Sequence, residues 1–133
     1  RLERVFERPP VIIDVAHNPA GIRQLVRQVP RCAVVLAVSS DKNASEMVQT
    51  LARVADPLIL TQFAWRRSLP VEDLCAAAGA IPHRRADSLE EAIAMGMRTA
   101  NADHPLVITG SIYTAGEART LLVENYGARR IQF

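Results

Sequence analysis

Short apolar runs rich in β-branched residues alternate with amphipathic helical stretches along the whole chain, and that alternation limits the folds open to it. Val11-Ile12-Ile13-Asp14 is apolar up to its last residue, and Ile22, Leu25, Val26 and Val29 follow at helical spacing. Residues 32–38 are a second apolar run, followed by Met47, Val48, Leu51 and Ala55 with the same period. Residues 57–61 are a third, followed by Val71, Leu74, Cys75 and Ala78, with Gly79 at the expected helix stop. Residues 81–85 are a candidate short strand. Ser88-x-x-Glu91 has the form of a capping box and opens a face of Leu89, Ala92, Ile93, Met97 and Ala100. Leu106-Val107-Ile108-Thr109 is a fourth clear strand, and a last helix is expected from about 114 to 126, stopped by Gly127.

Strands separated by single helices imply parallel β-α-β units, and strands apolar throughout imply a sheet covered on both faces. The expected fold is therefore α/β: a Rossmann-like open, mostly parallel sheet with helices on both faces. Residues 2–8, before Pro9-Pro10, read as an extra strand, antiparallel at the edge. At 133 residues the chain is expected to be one domain, 1–133. It opens on Arg1 inside what reads as a strand, so further residues are expected upstream.

Composition excludes several classes. A net charge of +2 with 5% aromatics suits neither a phosphate-tracking nor a base-stacking surface, so no nucleic-acid partner is expected. No apolar stretch approaches the ~20 residues of a membrane span, and no signal peptide opens the chain. Cys32 and Cys75 have no C-x-x-C partner and read as reduced core thiols of a cytoplasmic protein. No metal-ligand cluster is expected.

In open parallel sheets, ligands bind beyond the carboxyl ends of the strands. Four loops begin there, at Asp14, Ser39, Thr61 and Thr109, and they hold most of the polar residues and glycines. In Asp14-Val15-Ala16-His17-Asn18-Pro19, a histidine and an asparagine precede a helix opened by proline. His17 can touch an anion there, or Asn18 is a helix cap and His17 a surface residue. In Ser39-Ser40-Asp41-Lys42-Asn43, Asp41 and Lys42 can serve a nucleotide or pair with each other, and Asn43 or Ser45 can cap the next helix. In Thr109-Gly110-Ser111-Ile112-Tyr113, Gly110 can let the backbone approach a ligand and Ser111 can donate to an anion; the alternative is a tight strand-to-helix turn. The chain carries no G-x-x-x-x-G-K-[ST], no G-x-G-x-x-G, no H-E-x-x-H and no G-x-S-x-G.

Taken together, the loops resemble the C-terminal domain of folylpolyglutamate synthase/dihydrofolate synthase, a family of the Mur-ligase superfamily. Arg1-Leu2-Glu3 resembles the end of its P-G-R linker. Residues 14–19 resemble D-[GV]-A-H-N-P, and residues 109–113 resemble T-G-S-[LI]-Y. Asp41-Lys42, and Thr61 before Arg67-Ser68-Leu69-Pro70, continue the likeness. The resemblance implies an ATP-dependent amide ligase that phosphorylates the carboxylate of a folate or dihydropteroate. The amine of L-glutamate then attacks the acyl phosphate, leaving ADP and phosphate. It implies Arg1, Asp14, Asn18 and Lys42 as nucleotide-side residues, and His17 and Ser111 as glutamate-binding and catalytic ones. ATP and Mg²⁺ are the implied cofactors, with the Mg²⁺ ligands and phosphate loop on an N-terminal ATPase domain absent from this chain, which alone is expected to be inactive. Phe63-Ala64-Trp65-Arg66 and Ser39-Ser40 match no part of that pattern. Competing readings are a non-catalytic Rossmann-like nucleotide-binding or partner-docking module, and the C-terminal domain of another Mur-type amino-acid ligase. A receiver- or flavodoxin-like signalling domain fits the α/β pattern but lacks the acidic cluster it needs.

Overall fold

The computed structural model of the chain describes residues 2–128. In order it runs β1 (Leu2–Glu7), β2 (Pro10–Asp14), α1 (Pro19–Val26), β3 (Cys32–Leu36), α2 (Ala44–Leu51), β4 (Ala55–Leu60), α3 (Val71–Ala78), β5 (Arg84–Arg85), α4 (Leu89–Thr99), β6 (Leu106–Thr109) and α5 (Ile112–Tyr126). The sheet order is β1-β2-β6-β3-β4-β5. β1 is antiparallel to β2 at the edge, as its sequence suggests, and every other pairing is parallel. The last strand, β6, is thus inserted between β2 and β3.

Alternation along the strands sorts the core into two layers. Cys32, Val34 and Leu36 of β3 point to one face and pack with Ile22, Leu25, Met47, Val48, Leu51 and Leu74 from α1, α2 and α3. Ala33 and Val35 point to the other and pack with Leu89, Ile93, Ala118 and Leu122 from α4 and α5. β3 and β6 are buried throughout, which is why they read as continuous apolar runs. Gly96 lets α4 lie directly on β6, since a Cβ there would stand 2.5 Å from Leu106 Cδ1. Each fully buried Leu or Ile contributes roughly 1.5–3 kcal/mol. The exposed ion pairs Arg23–Glu46 and Arg31–Asp56 contribute about 0–1 kcal/mol each, so packing, not charge, holds the layers.

Boundaries differ from the sequence reading where capping decides them. The last helix begins at Ile112, not near 114, because the Ser111 side chain caps it. Of residues 81–85 only Arg84–Arg85 pair as strand. Ser88 Oγ accepts the Glu91 N–H at 3.1 Å, but the Glu91 carboxylate reaches back to Asp87 N rather than Ser88 N, so half of the capping box forms. Gly79 and Gly127 end their helices with positive φ, as expected. Among the described residues no helix is long and apolar enough to cross a membrane.

Cys32 is wholly buried, and burial pushes its thiol up to about 12 from an ordinary 9.0. A thiol reagent should therefore modify the half-buried Cys75 in the native state and reach Cys32 at the rate of global unfolding. Because the folded-state value is the raised one, this group's stabilisation is complete below about pH 9 and lost as pH rises towards about 12. The thermal midpoint should fall through that window, and less steeply in Cys32→Ala.

Candidate active site

The carboxyl ends of β2, β3, β4 and β6 open into a cavity of about 480 Å³ whose lining includes His17, Ser39, Lys42, Arg67, Ser111 and Tyr113. Its centre is the turn after β6. Gly110 adopts φ +122°, and a Cβ there would lie 2.2 Å from the Ala37 carbonyl oxygen and 2.8 Å from Leu36 Cδ1. The close approach that this glycine permits is thus to the continuation of β3, which is the tight strand-to-helix turn of the two readings open in the sequence. Gly110 N–H donates to Ala16 O at 3.1 Å, and Thr114 Oγ1 donates to Ala37 O at 2.7 Å. Three loops far apart in sequence are thereby joined at one point.

Ser111 is the cap of α5, and its Oγ accepts the Tyr113 N–H at 3.0 Å. That leaves its O–H as a donor, with Ser39 Oγ 3.5 Å away. Ser111 is 2% exposed, because the cap draws it against the sheet. His17, by contrast, is exposed, and its Nδ1 lies 3.2 Å from Val15 O. In the neutral ring that contact puts the proton on Nδ1 and leaves Nε2 as an acceptor.

Asp14 is buried beneath this loop, and its carboxylate accepts the Ala16 N–H at 2.9 Å, which turns the chain out of β2. Asn18 caps α1, accepting the Gly21 N–H at 2.8 Å, with Pro19 opening the helix. Neither Asp14 nor Asn18 lines the cavity. Lys42 does, with its Nζ 3.8 Å from the Asp41 carboxylate, while Asn43 caps α2. His17, Lys42 and Ser111 are therefore brought together. Arg1 lies outside the described residues. Among the described residues no group of three His, Cys, Asp or Glu side chains is placed to hold a metal ion.

Sequence reasoning missed Ser39, Arg67 and Tyr113 as cavity residues. Segment 61–70 leaves β4 and folds back on β3: Leu69 N–H donates to Val38 O at 2.8 Å and Ser40 N–H to Arg67 O at 2.9 Å. The Phe63 ring stacks on Tyr113 with centroids 5.4 Å apart, and Ala64 N–H donates to the Glu117 carboxylate at 2.7 Å. The available signals were position, since the segment follows the carboxyl end of a parallel strand, and the likeness at Arg67-Ser68-Leu69-Pro70, to which no site role was attached.

Residues 1–112 match the model of the family described as Mur ligase, glutamate ligase domain. The chain belongs to that family. This Mur-ligase domain is 37% identical to the dihydrofolate synthase/folylpolyglutamate synthase of Mycobacterium tuberculosis, over 91% of its own length and 30% of that protein's. It superposes on the crystal structure of the M. tuberculosis folylpolyglutamate synthase complexed with ADP and AMPPCP with a TM-score of 0.85 and 35% identity, covering 99% of this chain and 33% of that one. It is also similar to a bifunctional folylpolyglutamate synthase/dihydrofolate synthase with Mn, AMPPNP and L-glutamate bound, with a TM-score of 0.78 and 26% identity, covering 90% and 30% of the two chains. The domain thus spans about a third of the length of these relatives.

Two substitutions separate the scaffold of the site from its chemistry. Gly110→Ala should destabilise the domain by about 2–4 kcal/mol, since it adds a backbone clash to an unfavourable φ. Ser111→Ala should cost about 1 kcal/mol for the lost cap. Urea unfolding of the two variants checks both values; a Gly110→Ala domain of native stability would contradict the close approach.

Proposed function

We propose that this Mur-ligase domain is the C-terminal, glutamate-handling part of a cytoplasmic folylpolyglutamate synthase/dihydrofolate synthase. The reaction is ATP-dependent, ADP-forming ligation of L-glutamate to a folate or dihydropteroate. The observation that carries this reading is the meeting, on one cavity, of His17 from the D-x-A-H-N-P loop, Lys42, and Ser111 from the T-G-S-x-Y loop. The relatives support it: they are named for this activity, and structures among them hold ADP and AMPPCP, or Mn, AMPPNP and L-glutamate.

The cavity suits anions. Lys42 and Arg67 are cations on its wall, Ser111 offers an O–H, and among the described residues Asp41 is the sole acid in its lining. When bound, ATP with a divalent ion, Mg²⁺ in this reading, supplies the phosphoryl group that activates the folate carboxylate. His17 and Ser111 hold the incoming glutamate, with the Ser111 hydroxyl donating to one of its carboxylate oxygens and the His17 ring steadying its polar end. Lys42 offsets charge on the nucleotide side. Asp14, Asn18 and Arg1 serve the nucleotide in the family pattern. For Asp14 and Asn18 that service is indirect, through the shape of the first loop that their side chains set. Holding the amine against the activated carboxyl is a proximity effect, which in well-oriented systems lowers a barrier by as much as ~7–11 kcal/mol. An N-terminal ATPase domain closing over the cavity would keep water from the activated carboxyl.

The test is glutamate-dependent ADP release with Mg²⁺ and a reduced folate or dihydropteroate, by this chain alone and with the N-terminal domain supplied. Release should occur only in the mixture, and His17→Ala should lower it by at least about tenfold, the loss of one charge-assisted contact. Robust ATP turnover by the isolated chain, or no glutamate dependence in the mixture, would sink this reading.

A further inference from the structure

One ion pair differs from the others in where it lies. The Arg119 guanidinium of α5 donates to the Glu3 carboxylate of β1, and each of the two side chains is 29% exposed. The pairs Arg4–Glu7, Arg23–Glu46, Arg31–Asp56 and Arg85–Asp87 join side chains that are 46% to 75% exposed, where water screens them. Arg119 Nε is buried and has no acceptor among the described residues, so the guanidinium relies on Glu3 to offset its desolvation. β1 needs a tie of this kind. It is the edge strand, paired on one side only, and none of its residues is buried. Its ladder with β2 is irregular between Arg4 and Phe6, so Leu2, Glu3 and Arg4 hold to β2 as a short run of their own. Arg4–Glu7 lies within the strand and fastens it to nothing else.

We infer that Arg119 is a positioning residue for the nucleotide side of the reaction: through Glu3 it fixes the start of β1, and with it the attachment point of Arg1. This rests on the function proposed above, in which Arg1 serves the nucleotide. Leu2 is the register partner of Asp14, the last residue of β2, so β1 starts at the end of the sheet that carries the cavity. Arg1 is bonded to Leu2, and drift of Leu2 is passed to it through a single peptide unit. Glu3 lies opposite Ile13, whose side chain packs in the layer of α4 and α5, which is why the Glu3 carboxylate meets α5. The same helix is capped by Ser111. About two turns separate that cap from Arg119, so one helix holds both a residue of the cavity and the strand by which an N-terminal domain would be joined. Removal of Glu3 leaves a partly desolvated cation without its partner, a larger loss than that of a surface pair.

The experiment is steady-state ADP release by the full-length enzyme, with KM measured separately for ATP, L-glutamate and the folate. Glu3→Gln and Arg119→Met should each raise KM for ATP by about 5–20-fold and leave the other two within about threefold. The double variant should be no worse than the poorer single one, because the two side chains make one interaction. Arg119→Lys should recover part of the loss, since it keeps the charge. In an Arg1→Ala enzyme, Glu3→Gln should change KM for ATP by less than about twofold, because the residue it positions is gone. Amide hydrogen exchange of residues 2–4 should be faster by at least about fivefold in Glu3→Gln. A lower thermal midpoint with all three KM values unchanged would reduce the pair to a structural tie and overturn the inference. So would a rise shared equally by the three substrates, or an undiminished Glu3→Gln effect in the Arg1→Ala enzyme. A wild-type enzyme that releases no ADP with glutamate would overturn the proposed function, and the inference with it.

Discussion

The contact between Gly110 and the Ala37 carbonyl is the constraint on which the site depends. β6 is the last strand in sequence, yet it lies between β2 and β3, so its exit turn must pass directly over the end of β3. A side chain at residue 110 would put a carbon 2.2 Å from the Ala37 oxygen. With glycine, the turn closes, its N–H reaches Ala16, and the same Ala37 oxygen is free to accept from Thr114. The loops after β2, β3 and β6 are then one body. The positions of His17, Lys42 and Ser111 relative to one another follow from main-chain hydrogen bonds and sheet register, not from contacts among those side chains. Such an arrangement fixes the functional groups from their backbone.

The fourth loop is attached differently. Segment 61–70 has no regular structure before α3, but it is tied to β3 through main-chain bonds and to α5 through a ring stack and a carboxylate. A ten-residue segment loses roughly 1–2 kcal/mol per residue of backbone freedom on ordering, a cost that exposed Trp65 and Arg66 do little to offset by burial. Hydrogen bonds at about 1 kcal/mol net each and the burial of Phe63 offset part of it.

Legibility in the sequence followed the range of the forces involved. Strand periods, helix stripes and the edge strand before Pro9-Pro10 are local patterns of burial, and they indicated the sheet and its two helical layers. Caps are local too, so Asn18, Asn43, Ser88 and Gly127 were readable as helix punctuation. Ser111 was read as a donor rather than a cap, and the start of α5 was misplaced by two residues for that reason. The resemblance supplied Arg1, Asp14, His17, Asn18, Lys42 and Ser111, and of these the fold brings His17, Lys42 and Ser111 to one cavity, while Asp14 and Asn18 do not line it and Arg1 lies outside the described residues. What stayed hidden was non-local. The return of segment 61–70 onto β3 joins residues 38–40 to 67–69 through main-chain bonds that carry no side-chain signature, so the likeness at Arg67-Ser68-Leu69-Pro70 did not reveal that Arg67 lines the cavity while Arg66 lies over the Trp65 ring.

The two roles of Ser111 are compatible because a hydroxyl has separate accepting and donating directions. Its lone pair terminates α5 on the Tyr113 amide, and its proton is left for Ser39 or for a ligand. The cap fixes the oxygen while leaving rotation of the O–H as the one remaining freedom, so donation to a bound carboxylate requires no movement of heavy atoms. An aspartate or asparagine at this position would cap equally well. The first would turn a charge towards the cavity that the proposed substrate carries itself, and the second would place a bulkier amide where Ser111 is already 2% exposed. Among the good capping residues, the small hydroxyl is the one that suits both the helix and an anion.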